Sequence, residues 1–321
     1  MSPEGEKLNL DIDTIQLGRT DIRIPSMGIG AWAWGDRFFW AFRKDYGDEE
    51  VRAAFFTSLE AGISLFDTAE VYGMGRSERF LGKFANESSL PVVIATKFFP
   101  YPWRFSKNSL INALKSSLKR LDLEIVDLYQ IHNPFSIVPV ETWMEALGEA
   151  VKMGLTRAIG VSNYDQEKML RAYKTMEKQG IPLASNQVSY SLLDRKVELN
   201  GLLKTCQELG ITLIAYSPIA QGILTGKYSP ENPLPGVRGR RYNRAFLAKI
   251  QPLISRMVEI GNQHGGKSSA QVALNWVICK GAVPIPGAKN SRQAQENIGA
   301  VGWRLNEEEV ASLDEASSIF L

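Results

Sequence analysis

Three ionisable side chains stand at the ends of three short apolar runs. Asp67 closes Ile63–Phe66, Lys97 follows Pro91–Ala95, and His132 closes Ile125–Ile131. Further along, Ser162 and Asn163 follow Thr156–Val161, Gln187 lies inside Ala184–Val188, and Tyr216 with Ser217 ends Thr212–Tyr216. An acid, an ammonium and an imidazole at successive run ends are costly to bury unless they pair. A purely stabilising role therefore explains them poorly. Tyr72 lies just beyond Asp67, close enough to fold back over the same place. A phenol has an unperturbed pKa near ~10, too high for efficient proton exchange at neutral pH. A neighbouring ammonium lowers it. Lys97 can supply that charge, Asp67 can keep Lys97 charged and oriented, and His132 can donate a hydrogen bond to a substrate carbonyl. This set fits protonation of a carbonyl oxygen coupled to hydride transfer. The hydride requires a nicotinamide, because no side chain donates one. No metal is expected, since the chain has 2 Cys and 2 His and no Cys-x-x-Cys.

Positioning such groups together needs a scaffold that brings strand ends to one place. The runs above, with Ser26–Ala31 and Ala282–Ile285, read as eight strands, most of them beginning about 30 residues apart, the length of one βαβ step. They lack clean alternation, as parallel strands covered on both faces do. Between them lie helical stripes at Asp48–Glu60, Ser106–Leu121, Val140–Lys152, Gln166–Lys178, Leu199–Leu209 and Ala270–Lys280. Ser106 is placed to cap its helix. Gly62, Gly154, Gly180, Gly210 and Gly281 stand where left-handed C-caps belong. Alternating strand and helix predicts an α/β protein, and eight repeats predict a (β/α)8 TIM barrel, whose chemistry sits at the C-terminal strand ends. Thr14–Pro25 reads as an N-terminal β-hairpin plug. An extended loop, with Thr225–Arg244 rich in Pro, Gly and Arg, separates strands 7 and 8. No Pro-rich linker divides the chain, so residues 1–321 read as one domain, the barrel proper about 26–300.

Composition narrows the function classes. The chain has 321 residues, 44% hydrophobic and 22% charged, which is ordinary globular usage. A net charge of +2 gives no reason to expect a nucleic-acid or anionic-membrane partner. Met1–Asp13 is polar and acidic without Arg, unlike a signal or transit peptide, and no apolar run nears the ~20 residues of a membrane span. These features predict a soluble cytoplasmic protein, with Cys206 and Cys279 as buried reduced thiols.

The sequence resembles the aldo-keto reductase family. "GISLFDTAEVYGMGRSERFLGK" (Gly62–Lys83) looks like the signature holding the family's catalytic Asp and Tyr, which fall on Asp67 and Tyr72. "VVIATKF" resembles the Lys strand, giving Lys97, and "VDLYQIHNP" the His strand, giving His132. "IGVSNY" and "NQVSYS" resemble segments that bind the nicotinamide carboxamide, implying Ser162, Asn163 and Gln187. "IAYSPIAQGILTGKY" resembles the segment whose aromatic ring stacks on the nicotinamide, implying Tyr216, with Ser217, Pro218, Gly222, Leu224 and Lys227 toward the pyrophosphate. "PIPGAKNSRQAQENIGA" resembles the adenosine site: Pro286, Gly287, Gln293, Glu296 and Asn297 line it, and Lys289 takes the 2′-phosphate. Arg292 stands one place before the position where some branches carry an Arg. The resemblance covers about residues 14–317 and implies a barrel reducing aldehydes or ketones with NADPH. The absence of a G-x-G-x-x-G fingerprint agrees with this non-Rossmann mode of binding.

Lys227, Arg238, Arg240, Arg241 and Arg244 make the long loop basic, either a solvated face or a flap over the pyrophosphate. Trp32, Trp34 and Trp40, with Trp103, are expected to wall the substrate pocket, although core packing would explain some of them equally well. His264 reads as a surface residue. Two rival functions are a regulatory subunit that keeps the four residues without turnover, and a barrel lyase or isomerase, which would need a metal cluster or a Schiff-base Lys.

Overall fold

The computed structural model describes residues 12–234, 239 and 242–321. A hairpin of β1 (Thr14–Gln16) and β2 (Arg23–Pro25) comes first. Eight strands follow: β3 (Ile29–Gly30), β4 (Leu65–Asp67), β5 (Val93–Phe98), β6 (Val126–Ile131), β7 (Thr156–Ser162), β8 (Leu183–Ser189), β9 (Thr212–Tyr216) and β10 (Val283–Pro284). They lie side by side in chain order, every neighbouring pair parallel. The sheet closes on itself, because Gly30 bridges to Gly287, and the amides of Gly28 and Gly30 donate to the carbonyls of Pro284 and Pro286, each at 3.0 Å. At this seam a Cβ on Gly30 would lie 2.9 Å from the Ile285 carbonyl oxygen, so the closing strand needs a glycine.

The expected (β/α)8 barrel with its hairpin is therefore present, with shifted strand limits. β3 and β10 shrink to two residues each, while β5 runs on to Phe98 and so takes Lys97 into the strand. The stripe read as Leu199–Leu209 breaks into Lys196–Leu199 and Leu202–Leu209. Ser106 does precede its helix, but its side chain makes no capping bond, and its carbonyl accepts from Ser109 instead. The five glycines expected at helix ends all have positive φ, between +66° and +90°. The long connection from β9 to β10 holds helices Arg244–Gln263 and Ser269–Cys279.

Strand periodicity decides what the barrel interior contains. Leu65, Ala95, Leu128, Ala158, Ala184, Ile214 and Val283 form one buried layer, into which Leu17, Ile22 and Ile24 of the hairpin pack from below. Burial of each Leu or Ile there contributes roughly 1.5–3 kcal/mol. Two residues further along a strand the side chain points the same way. Asp67, Lys97, Gln130 and Tyr216 therefore form the next inward layer, at the C-terminal end. The alternate residues Phe66, Tyr129 and Ile159 point outward and join the larger core beneath the helices. The N-terminal hairpin fills one end of the barrel with apolar atoms, and the polar layer occupies the other.

Candidate active site

Asp67 and Lys97 are both buried, at 3% and 0% exposure, and form an ion pair through Oδ1 and Nζ. The Lys97 ammonium also donates to the Thr68 carbonyl at 2.8 Å. The second carboxylate oxygen of Asp67 accepts from Gln187 Nε2 at 2.8 Å and, more weakly, from Gln130 Nε2 at 3.4 Å. Ser185 in turn donates to Gln130 Oε1 at 3.3 Å. The buried acid is thus surrounded by donors, which is the condition under which a charge survives in the core. Burial alone pulls the Lys97 pKa below its ordinary value, and Asp67 acts against that pull.

Tyr72 sits above this pair. The Lys97 ammonium lies 5.0 Å from its ring centroid, and the His132 ring meets it edge-on at 5.5 Å. The turn that carries Tyr72 is left-handed: Gly73, Met74 and Gly75 all have positive φ, from +55° to +80°, and of the three only Met74 bears a side chain that disfavours it. The expected acidification of the phenol is not what the arrangement produces. Burial first, and then the Asp67 carboxylate, push the Tyr72 hydroxyl well above its ordinary value. The physical reason is that burial strips water from the phenolate, and the Asp67 carboxylate nearby repels its charge. Tyr72 is accordingly a protonated donor at neutral pH. His132 is held neutral, its pKa lowered to about 3 by burial and by the Lys97 charge. Its Nδ1 is buried with no hydrogen-bond partner among the described residues, so a second ring proton would go unsolvated.

The proposed nicotinamide residues cluster on the adjoining strand ends. Ser162 donates to the Gln187 carbonyl at 2.9 Å, and Asn163 Nδ2 to the His132 carbonyl at 3.1 Å. The Tyr216 hydroxyl donates to Asn163 Oδ1 at 2.9 Å, which pins its half-buried ring beside the polar layer. Asn163 and Ser217 have φ of +62° and +52°, and Ala220, Gln221 and Gly222 follow with left-handed values. A Cβ on Gly222 would meet nothing within 4 Å, so the backbone there borders open space. Pro218 and Leu224 are buried, whereas Lys227 is exposed, 5.7 Å from the Tyr228 ring. Across the barrel seam, Gln293 Oε1 accepts from the Lys289 amide at 2.9 Å, and Asn297 Nδ2 donates to the Gly287 carbonyl at 3.2 Å. Both bonds fasten the segment after Pro286 to helix Ser291–Ile298. Glu296 is exposed and bonded to Ser268, and Arg292 is exposed. Lys289 Nζ donates to the Trp40 carbonyl at 3.3 Å and lies over the Trp40 and Tyr46 rings at 4.8 and 4.7 Å. Open backbone at Gly222, amide and ring groups at the ends of β7 to β9, and the Lys289 ammonium beside Trp40 offer polar and cationic partners for an anionic ligand.

The tryptophans divide. Trp32 lies 6.1 Å from the Tyr72 ring and packs with Phe39 and Trp40, so it borders the phenol. Trp103 is 68% exposed and stacks on Tyr101 at 4.6 Å. Tyr101 packs on Phe99, which meets the His132 ring at 5.7 Å. Trp34 does not belong to the pocket. It is fully buried against Phe55, Phe66 and Phe84, and its Nε1 donates to the Ala288 carbonyl at 2.8 Å. Two further expectations change. His264 is half-buried, 2.8 Å from Glu309 and against the Trp303 ring, because two helices close around it. Cys279 is only half-buried, while Cys206 is fully so. Arg238, Arg240 and Arg241 lie outside the described residues. The sequence reading missed Gln130, Glu70 and Arg104; inward periodicity from Leu128 would have found the first.

The chain matches the Aldo/keto reductase family over residues 26–318 and belongs to it. It is 40% identical over 309 residues to the chloroplastic pyridoxal reductase of Arabidopsis thaliana, covering 92% of this chain and 84% of that protein. It is 32% identical to L-glyceraldehyde 3-phosphate reductase of Escherichia coli O157:H7, covering 93% and 90%. Among solved structures, an aldo-keto reductase from Klebsiella pneumoniae in complex with NADPH is similar with a TM-score of 0.76 and 29% identity, covering 95% of this chain and 94% of that one. A glycerol dehydrogenase from Gluconobacter oxydans is similar with a TM-score of 0.85 and 26% identity, covering 96% of each. The chain is thus a carbonyl-reducing oxidoreductase that uses a nicotinamide cofactor. No helix among the described residues is long and apolar enough to cross a membrane.

Proposed function

We propose that this chain reduces a small-molecule aldehyde or ketone with NADPH, and that Tyr72 is the general acid. The observation that carries this reading is the buried Asp67–Lys97 pair beneath the phenol, with a neutral imidazole at its edge. Bound NADPH supplies the hydride. The carbonyl oxygen rests between the Tyr72 hydroxyl and the His132 ring, where neutral His132 donates a hydrogen bond and sets the pose. As the oxygen gains negative charge, Tyr72 passes it the phenolic proton. The Lys97 ammonium then faces the new phenolate, an interaction stronger at that stage than in the ground state, and only such differential interactions accelerate a reaction. Asp67 keeps Lys97 protonated throughout.

Ser162, Asn163 and Gln187 hold the carboxamide, and Tyr216 lies against the nicotinamide ring. Ser217, Pro218, Gly222, Leu224 and Lys227 follow the pyrophosphate. Pro286, Gly287, Gln293, Glu296 and Asn297 border the adenosine, and Lys289 takes the 2′-phosphate, which favours NADPH over NADH. Trp32, Trp40 and Trp103 wall the carbonyl pocket. The fold works as one barrel domain, in a reducing compartment such as the cytoplasm, without nucleic-acid or membrane partners.

Tyr72→Phe is the test. Loss of general acid catalysis costs roughly 10²–10⁴-fold, so NADPH oxidation with an aldehyde panel falls by at least about a hundredfold while NADPH still binds by fluorescence titration. Turnover near that of the parent protein removes the phenol from its role.

A further inference from the structure

Between the acid of the buried pair and the phenol, the chain places a second carboxylate. Glu70 follows Asp67 and precedes Tyr72. Its side chain turns away from the barrel axis toward the segment after β5, and is 8% exposed. Glu70 Oε1 accepts from the Phe99 amide at 2.6 Å and from Arg104, while Oε2 accepts from the other terminal nitrogen of Arg104 at 3.0 Å. The first of those guanidinium nitrogens also donates to the Phe99 carbonyl at 2.8 Å. Arg104 thus grips Glu70 with both terminal nitrogens and Phe99 with one. Its guanidinium further lies over the Phe98 and Tyr101 rings, at 4.8 and 5.2 Å.

The two sides of this clasp carry different parts of the site. One side is the turn holding Tyr72, where Gly73, Met74 and Gly75 sit in left-handed conformations. Met74 is not a glycine, is 81% exposed, and so gains little from packing. Such backbone persists only where its surroundings over-determine it. The other side is the aromatic ladder Phe99–Tyr101–Trp103, whose first ring touches His132. The bonds and ring contacts of Arg104 run to Glu70, Phe99, Phe98 and Tyr101, so its influence on the site passes through them. Its bonds fix the spacing between the proton donor and the wall that holds the imidazole and the carbonyl.

We infer that Glu70 and Arg104 are positioning residues for carbonyl reduction: a half-buried clasp that sets Tyr72 and His132 at a common distance from the substrate oxygen. This rests on the proposed roles of Tyr72 and His132. Misplacement of a reacting group by about 1 Å costs up to 10²-fold. Arg104→Ala should therefore lower kcat for a small aldehyde on the order of ten- to a hundredfold, with NADPH affinity unchanged. Arg104→Lys, which reaches one carboxylate oxygen but cannot form the fork, should fall between. Millimolar guanidinium chloride, well below denaturing levels, should restore part of the kcat of Arg104→Ala by refilling the cleft beside Glu70, and should do nothing for the parent protein. Hydrogen exchange of the Gly73–Gly75 and Phe99–Arg104 amides should rise together in Arg104→Ala while the strands keep their protection. If Arg104→Ala folds with ordinary kcat, or if its loss of kcat is accompanied by general loss of protection and no guanidinium rescue, the clasp has no positioning role. If the parent protein shows no carbonyl turnover at all, the proposed function fails first, and the clasp with it. A parent enzyme that turns over beside an equally active Arg104→Ala overturns the clasp alone.

Discussion

The neutral His132 ring makes stability depend on pH in a way that can be worked out in advance. In the folded chain its pKa lies near 3, lowered by burial and by the Lys97 charge. In the unfolded chain it returns to about 6.5. A base whose folded pKa is depressed binds its proton only after unfolding. Acid therefore favours the unfolded state from about pH 6.5 downward, until the folded ring also titrates near pH 3. At about pH 7.5 this costs almost nothing. At about pH 5 the unfolded ring is protonated and the folded one is not, and the linkage relation gives a loss of about 2 kcal/mol. The perturbation is His132→Gln, which keeps a donor and removes the titration. Urea unfolding of both proteins at these two pH values supplies the assay. The lost ring packing and every other titrating group contribute equally at both pH values or in both proteins, so the difference of differences isolates the imidazole. The parent protein should lose about 2 kcal/mol more than the variant between the two conditions. A parallel loss, within about 0.5 kcal/mol, would mean that the ring is solvated or charged in the fold. The neutral-donor role of His132 would then be wrong.

The other predictions concern the far end of the cofactor and the aromatic residues. On the proposed binding mode, Lys289→Ala removes a charge-assisted bond to the 2′-phosphate, worth about 1.5–3 kcal/mol. The KM for NADPH should rise on the order of ten- to a hundredfold while that for NADH stays put, and equal weakening of both would place the phosphate elsewhere. Trp34→Ala should cost about 3–5 kcal/mol in chemical unfolding, from cavity formation around Phe55, Phe66 and Phe84. Trp32→Leu should change the KM for aromatic aldehydes severalfold with a stability loss under about 1.5 kcal/mol; a large loss there would make Trp32 a core residue as well.

Much of the architecture is legible in local pattern. The C-cap glycines are recognisable because only a residue without a Cβ occupies φ near +70° cheaply. Helix Arg76–Glu87 carries a requirement that local pattern does not show: a Cβ on Gly82 in its middle would lie 2.0 Å from the Leu121 carbonyl oxygen, so a partner segment distant in sequence demands that glycine. Trp32 and Trp34 stand in one aromatic-rich loop, and nothing local separates a ring that packs inward on Phe66 from one that faces Tyr72.

Residue types and their order along the chain determined the kind of chemistry and the scaffold. An acid, an ammonium and an imidazole at successive strand ends, with a phenol on the turn just beyond the acid, have few other uses, and strand periodicity is a property of neighbouring residues. What only the folded chain decided is the electrostatic state of each group. Tyr72 is held protonated because the fold excludes water from it and sets the Asp67 carboxylate near it. Those are distances between segments remote in sequence, and pKa values follow distance and burial.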